Sequence, residues 1–241
     1  MKHLICKDYD EMSRVGAMVV ARQIWSKPES VLGFATGGTP VGLYRVLVGM
    51  FKSGVLDFSR VTTFNLDEYY PMSKEDKQSY HMFMWDNLLS SVNVSPQNVN
   101  IPDGGAPDPK GFCEAYEEKL RSAGGVDLQI LGIGRNGHIA FNEPASELPV
   151  KTGVVSLSES TIDANARFFG DRGLVPKQAL SMGIGTILAA RSLLLLISGA
   201  DKAPVAGKLF SGTVTTQIPA TLLQLHPDAL VLMDRAAAGM L

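Results

Sequence analysis

Short apolar runs alternate with stretches of helical periodicity along the 241-residue chain. Six runs contain few polar residues, as is typical of strands covered on both faces of a sheet; they span 31–35, 61–65, 126–131, 154–157, 193–197 and 229–233. The predicted helices span 10–25, 40–52, 80–89, 109–122, 176–190 and 203–210. With no repeat or linker to divide the chain, we expect one α/β domain over 1–241, a single doubly wound, Rossmann-like, mostly parallel sheet with helices on both faces.

Composition narrows the class of partner. The chain is 45% hydrophobic and 19% charged, with a net charge of −2 and no basic run, so we expect no nucleic-acid partner. The amino terminus lacks a signal-peptide pattern, and the run 193–197 is too short to cross a membrane. Cys6 and Cys113 form neither a disulfide framework nor a metal-ligand spacing, which favours a cytoplasmic protein.

The segment 131–144, LGIGRNGHIAFNEP, combines proton-exchanging side chains with residues that break helices. It follows a predicted strand, so Asn136, His138 and Glu143 are expected at the strand's carboxyl end, where open α/β sheets bind ligands. This indicates acid–base chemistry at that edge of the sheet. A glycine-rich turn with an incidental histidine is the structural alternative.

The same segment also contains the glycine spacing of a dinucleotide-binding motif. Gly132, Gly134 and Gly137 spell G-x-G-x-x-G, and Glu159 lies about where a ribose-binding acid would stand. That motif functions only when a helix follows its last glycine. Because Pro144 interrupts the next residues, we predict no such helix and no nicotinamide or flavin cofactor.

The segment TGGTP at 36–40 joins the first predicted strand to a helix. Gly37 and Gly38 let backbone N–H groups approach an anion, Thr36 and Thr39 add hydroxyl donors, and the helix N-terminus adds partial positive charge. These four residues are therefore a candidate phosphate site. A tight turn with a threonine cap is an equally good interpretation.

Three further groups follow predicted strands or stand near aromatic residues. Asp67 and Glu68 follow the second strand, where one of them can supply a base, although an ordinary solvated turn is the alternative. Lys202 follows the run 193–197 and can direct its ammonium at an anion, and Arg167 is flanked by aromatic residues. Together the clusters indicate an enzyme that acts on a phosphorylated small molecule.

In chain order, TGGTP at 36–40, TFNLDEY at 63–69, the segment 131–144 and NARFF at 165–169 closely resemble the glucosamine-6-phosphate deaminases. The resemblance continues through 175–186, 199–202 and 223–227, so it covers nearly the whole chain. GHIAFNEP is highly specific to these enzymes. The related 6-phosphogluconolactonases share the fold and a Gly-His here but diverge after the histidine.

The resemblance implies conversion of glucosamine 6-phosphate and water to fructose 6-phosphate and ammonium, with no metal or organic cofactor. It implies that Asp67 is the base that moves the C2 proton toward C1 through an enolamine, and that His138 opens the pyranose ring. Glu143 and Asn136 match the residues that orient His138; some family members have Asp in place of Asn136. The resemblance also gives a set of phosphate-binding residues: Thr36, Gly37, Gly38, Thr39, Arg167 and Lys202.

The resemblance further implies a mobile lid at about 153–182 and a short, non-allosteric bacterial form of the enzyme. Gly153 and Val155 stand where regulated hexameric relatives are basic, and the sequence reaches Leu241 soon after its last predicted strand. We therefore expect a monomer with a phosphosugar substrate and no activator.

Other functions remain open at this point. A galactosamine-6-phosphate deaminase or isomerase and a 6-phosphogluconolactonase are alternatives of the same fold. A non-catalytic sugar-phosphate sensor is a further alternative, but Asp67 and His138 are both present, and one domain fills the 241 residues.

Overall fold

The computed structural model describes residues 1–241. Its ten strands are β1 (Lys2–Cys6), β2 (Val31–Phe34), β3 (Thr62–Asn65), β4 (Asp67–Tyr70), β5 (Val99–Asn100), β6 (Leu128–Leu131), β7 (Gly153–Ser156), β8 (Gln178–Ser181), β9 (Ser192–Ile197) and β10 (Ala229–Asp234). Its seven α-helices are α1 (Tyr9–Ser26), α2 (Val41–Lys52), α3 (Tyr80–Asn87), α4 (Pro109–Ser122), α5 (Glu159–Phe169), α6 (Ile184–Leu188) and α7 (Ala203–Leu209). No helix is both long and apolar enough to span a membrane.

Seven strands form the main sheet in the order β1-β10-β9-β6-β2-β3-β5, and every neighbouring pair is parallel. Starting at β2, the chain adds β3 and then β5 on one side of that strand. It then crosses to β6, on the other side of β2, and continues through β9 to β10. The direction of winding therefore reverses between β2 and β6, and such a switch point is where doubly wound sheets bind ligands.

Helices cover both faces of this sheet, as predicted. One apolar core of 23 buried residues includes Met12 of α1, Leu43 of α2 and Met84 of α3. The core on the other face contains 25 buried residues, among them Tyr116 of α4 and Leu209 of α7. The main-sheet strands predicted at 31–35, 61–65, 126–131, 193–197 and 229–233 are all confirmed.

A second, antiparallel sheet has the order β4-β8-β7 and corrects three predictions. The run 154–157 forms β7, which is exposed on alternate residues rather than covered on both faces. The helix predicted over 176–190 is wrong, because Gln178–Ser181 is β8 and only Ile184–Leu188 is α-helical. Residues 67–70 form a strand, so the interpretation of Asp67 and Glu68 as a solvated turn is also wrong. Pairing between distant segments overrides local pattern here.

Strands β1 and β5 and helix α5 were also absent from the sequence predictions. Strand β1 is an edge strand with mostly exposed side chains, so it lacks the apolar signal of its neighbours. Helix α5 begins after Ser158, whose side chain accepts a hydrogen bond from the backbone N–H of Thr161, and ends at Gly170 with a left-handed φ of 77°. These are ordinary helix start and stop signals.

Candidate active site

Four loops that carry predicted site residues leave the same edge of the main sheet. They follow β3, β2, β6 and β9, which are consecutive neighbours in the sheet. Asp67 lies just beyond β3, His138 follows β6, and Lys202 lies in the 3-10 helix Ala200–Lys202 after β9. The parallel topology therefore brings these groups to the carboxyl edge, on both sides of the switch point.

The loop after β2 is open at its tip. Gly37 has a φ of 99°, a backbone conformation that favours glycine, and nothing lies near the position of a Cβ on Gly37 or Gly38. Helix α2 begins after Pro40 without a side-chain cap, so the threonine-cap interpretation is wrong for this helix. The Gly42 N–H in its first turn donates to the Tyr9 hydroxyl at 2.7 Å, and the other N–H groups of that turn can point toward an anion.

Asp67 and Glu68 are both buried, but only Glu68 is held by hydrogen bonds. The Glu68 carboxylate accepts bonds from the backbone N–H groups of Tyr69, Tyr80 and His81, each at 2.9 Å. Asp67 is 5% exposed, and no hydrogen bond holds its carboxyl group. Burial raises the pKa of Asp67 to about 8, and the neighbouring charge of Glu68 adds to the rise.

These surroundings make the two acids differ in their ability to exchange a proton. Burial also raises the pKa of Glu68, but its three backbone donors oppose the rise by stabilising the carboxylate. Glu68 is thereby fixed in place. Asp67 has no fixed partner to lose when it takes or gives a proton, so it is the better candidate for a general base near neutral pH.

His138 and its predicted partners form one cluster. Asn136 donates from Nδ2 to Glu143 Oε2 at 2.8 Å, and its Oδ1 accepts from the backbone N–H of His138 at 3.1 Å. His138 Nδ1 lies 3.4 Å from Glu143 Oε2. That is an ion-pair distance, but the alignment falls outside hydrogen-bond geometry, so the imidazole sits beside the carboxylate without a directed bond.

Gly134 makes room for this imidazole. A Cβ at Gly134 would lie 2.3 Å from His138 Cε1, whereas a Cβ at Gly132 would meet nothing. Gly137 is followed by turns as far as β7, so the predicted absence of a helix after the G-x-G-x-x-G motif is confirmed. Of the three glycines, Gly134 is thus the one that packs against the histidine.

Glu143 is tied to helix α5 by a residue that the sequence analysis missed. Thr161 donates its hydroxyl to Glu143 Oε1 at 2.5 Å. Burial alone would raise the pKa of Glu143, but His138 and the hydrogen bonds from Thr161 and Asn136 lower it to about 2. The carboxylate is therefore ionised at neutral pH. The Ser158 cap three residues before Thr161 could have revealed the start of this helix.

Three cations, Lys202, Arg167 and Arg135, lie close enough for their charges to interact. Burial lowers the pKa of Lys202, Asp201 opposes this, and the positive charges of Arg135 and Arg167 add to the lowering. Arg167 comes from α5 and stacks on Phe168, with its guanidinium carbon 4.6 Å from the ring centroid. Arg135, which the sequence analysis did not single out, pairs with Asp201 at 2.7 Å. This electropositive corner suits an anionic ligand.

Comparison with known proteins identifies the family to which the chain belongs. Residues 10–232 match the family model described as glucosamine-6-phosphate isomerases/6-phosphogluconolactonase. The chain is 52% identical to a glucosamine-6-phosphate deaminase from Halothermothrix orenii, with all of both chains covered. It is 51% identical to one from Clostridioides difficile, over 100% of this chain and 97% of that protein.

Comparison with solved structures identifies the same family. A monomeric glucosamine-6-phosphate deaminase superimposes with a TM-score of 0.98 at 46% identity, covering 100% of both chains. A 6-phosphogluconolactonase from Trypanosoma cruzi has a TM-score of 0.80 at 20% identity, over 100% of this chain and 96% of that one, and shares the fold. The chain therefore belongs to the family of glucosamine-6-phosphate isomerases and 6-phosphogluconolactonases.

Proposed function

We propose that this protein is a glucosamine-6-phosphate deaminase, which converts glucosamine 6-phosphate and water to fructose 6-phosphate and ammonium. The observation that carries the proposal is the pairing, at one sheet edge, of a buried unpartnered Asp67 with the His138–Glu143 pair. Full-length relatives about half identical to this chain bear that enzyme's name.

The substrate's phosphate would bind between the β2–α2 loop and the cations. Backbone and hydroxyl donors at the start of α2 would come from Thr36, Gly37, Gly38 and Thr39. Lys202 and Arg167 would supply charge-assisted bonds from the opposite side. Because Arg167 belongs to α5, binding of the phosphate would draw that helix toward the sheet edge.

His138 would open the pyranose ring. It would pass a proton between the anomeric hydroxyl and the ring oxygen, which breaks the C1–O5 bond and leaves the aldehyde. Glu143 stays ionised beside Nδ1, where it stabilises the imidazolium that forms during the transfer. Asn136 holds both partners through its amide without adding a charge.

Asp67 would then act on the open chain. It takes the proton from C2, the electron pair forms the C1=C2 bond of an enolamine while O1 takes a proton from the substrate's ammonium group, and the proton on Asp67 then passes to C1. The resulting imine at C2 reacts with water to release ammonium and leave the ketose. Although burial raises the pKa of Asp67 to about 8, a cationic amine bound beside the carboxyl would lower it and keep the base ionised in the complex.

We further propose that residues 153–182 form a lid and that the single-domain enzyme works as a monomer. The second sheet and α5 share a small core of seven buried residues, far smaller than the main cores, which suits a unit that moves. The solved deaminase that superimposes on this chain is monomeric. Cys6 and Cys113 are buried and unpaired, which supports a cytoplasmic location.

The test supplies glucosamine 6-phosphate, galactosamine 6-phosphate and 6-phosphogluconolactone separately, with and without a chelator, and follows ammonium and sugar products. We expect ammonium and fructose 6-phosphate from glucosamine 6-phosphate, unchanged by the chelator. Preference for the galactosamine epimer would correct the substrate. Lactone hydrolysis without ammonium release from either amino sugar would overturn the deaminase proposal.

A further inference from the structure

Thr161 projects from the first turn of α5 toward the catalytic loop. Its side chain is buried, with the residue 4% exposed. Its hydroxyl donates to Glu143 Oε1 and accepts from the Ser158 hydroxyl at 3.2 Å. Because the backbone N–H of Thr161 also donates to the Ser158 hydroxyl, the helix cap and this side chain form one unit. The position of the Thr161 hydroxyl is thus set by α5.

The two oxygens of Glu143 are divided between two elements. Oε1 accepts from Thr161 on α5, whereas Oε2 accepts from Asn136 and faces His138 Nδ1. A carboxylate is planar, so fixing one oxygen restricts rotation of the other about the terminal bond. Without the donor on Oε1, Oε2 would be held only by Asn136, and the imidazole would lose a fixed neighbour.

We propose that Thr161 is a positioning residue for His138: by holding Glu143 Oε1, it makes the alignment of the imidazole depend on the docking of helix α5. This rests on the proposed deaminase function for its catalytic consequence. The helix that carries the phosphate-site candidate Arg167 also carries Thr161, six residues earlier. Engagement of the phosphate would therefore be coupled to alignment of the ring-opening histidine.

A second threonine offers a matched control. Thr152 is also buried, and it donates its hydroxyl to Glu117 Oε1 at 2.5 Å, much as Thr161 does to Glu143. Glu117 lies on α4, and its partners are Thr152 and Thr186, so this bond does not touch the histidine cluster. Thr152→Val should therefore remove a comparable bond without affecting His138.

The experiment compares the wild type with Thr161→Val, Thr161→Ser and Thr152→Val, using glucosamine 6-phosphate as substrate. Thr161→Val keeps the side-chain shape and removes the donor, and we expect kcat to fall about 10- to 100-fold with KM changed less than about threefold. Thr161→Ser restores the donor and should restore most of kcat. Thr161→Ala is the second variant, should valine at this position impair folding.

A spectroscopic readout makes the result independent of turnover. The protein has four histidines, so the ¹⁵N imidazole signals of His138 can be assigned and followed in each variant. They should shift or broaden in Thr161→Val and Thr161→Ala, but not in Thr161→Ser or Thr152→Val. Unchanged His138 signals in both donor-free variants, or equal losses of kcat in Thr161→Val and Thr152→Val, would overturn the proposal. If the wild type releases no ammonium, the deaminase function fails, while these signals still decide the role of Thr161.

Discussion

Two buried aspartates at opposite edges of the main sheet have contrasting surroundings. Asp127 precedes β6 at the amino edge and is 4% exposed, while Asp67 follows β3 at the carboxyl edge and is 5% exposed. Asp127 accepts from Lys27 Nζ at 2.8 Å, from an Arg191 guanidinium nitrogen at 3.2 Å and from the backbone N–H of Val31 at 2.8 Å. Asp67 has no such partner.

The contrast distinguishes Asp127, a carboxylate that stabilises the fold, from Asp67, the proposed base. Burying a carboxylate is costly unless hydrogen bonds and opposite charges compensate, and Asp127 receives both. It thereby ties the end of α1 to the beginnings of β2, β6 and β9. Asp67 stays uncompensated, which destabilises its ionised form and leaves it ready to exchange a proton.

The largest effect is expected for Asp67→Asn. This change keeps the shape of the side chain and removes the base, so kcat should fall by about 10²- to 10⁴-fold while phosphosugar binding persists. Steady-state ammonium release and calorimetric binding measure the two quantities. A variant in which only KM rises would show that Asp67 binds substrate rather than moving a proton.

Gly134→Ala tests whether activity also depends on the position of His138, which lies at the same carboxyl edge of the sheet. A methyl group there would overlap the His138 ring, so the imidazole must move, and turnover should fall about 10-fold or more. Gly132→Ala is the control within the same motif, because its new methyl group would meet nothing. Equal activity of the two variants would contradict the packing of His138 against Gly134.

At the amino edge, the expected effect is on stability. Asp127→Asn should lower the free energy of unfolding by about 1–3 kcal/mol, since it removes bonds from two cations and leaves them beside a neutral amide. We expect no larger loss of stability, because water screens the charges of Lys27 and Arg191, whose side chains are 38% and 60% accessible. Denaturant titration gives the stability, and kcat of the folded fraction should match the wild type.

The smallest effect concerns pH. Burial raises the pKa of Asp67 in the folded state to about 8, so between the unfolded pKa of about 4 and that value the folded protein binds more protons than the unfolded chain. Stability should therefore fall as pH rises through this window. The stability advantage of Asp67→Asn over the wild type should grow as the pH rises from ~5 to ~8. If the advantage instead shrinks with rising pH, folding must lower the pKa of Asp67 rather than raise it.

Local pattern was sufficient for the buried parallel strands and for the loops that follow them, because both depend on short runs of adjacent residues. Thr36, Asp67, His138 and Lys202 could thus be assigned to one edge of the sheet from the amino-acid sequence alone. Strand β8 could not be predicted, because its conformation comes from pairing with β4 and β7, which lie far away in the chain.

Contacts between distant loops also could not be predicted from the sequence. The bond from Thr161 to Glu143 and the ion pair of Arg135 with Asp201 join segments 18 and 66 residues apart. Neither pair has a spacing that indicates contact. The spacing of Gly132, Gly134 and Gly137 was visible, but only the packing of His138 against Gly134 shows what that glycine does.

The most direct test of the central claim uses glucosamine 6-phosphate carrying deuterium at C2. The wild type should break the C2–deuterium bond before it releases ammonium, and Asp127→Asn should do so at the same rate per folded molecule. Asp67→Asn should bind the sugar and leave the deuterium at C2. Loss of deuterium at an undiminished rate in Asp67→Asn would contradict the assignment of the unpartnered aspartate as the base.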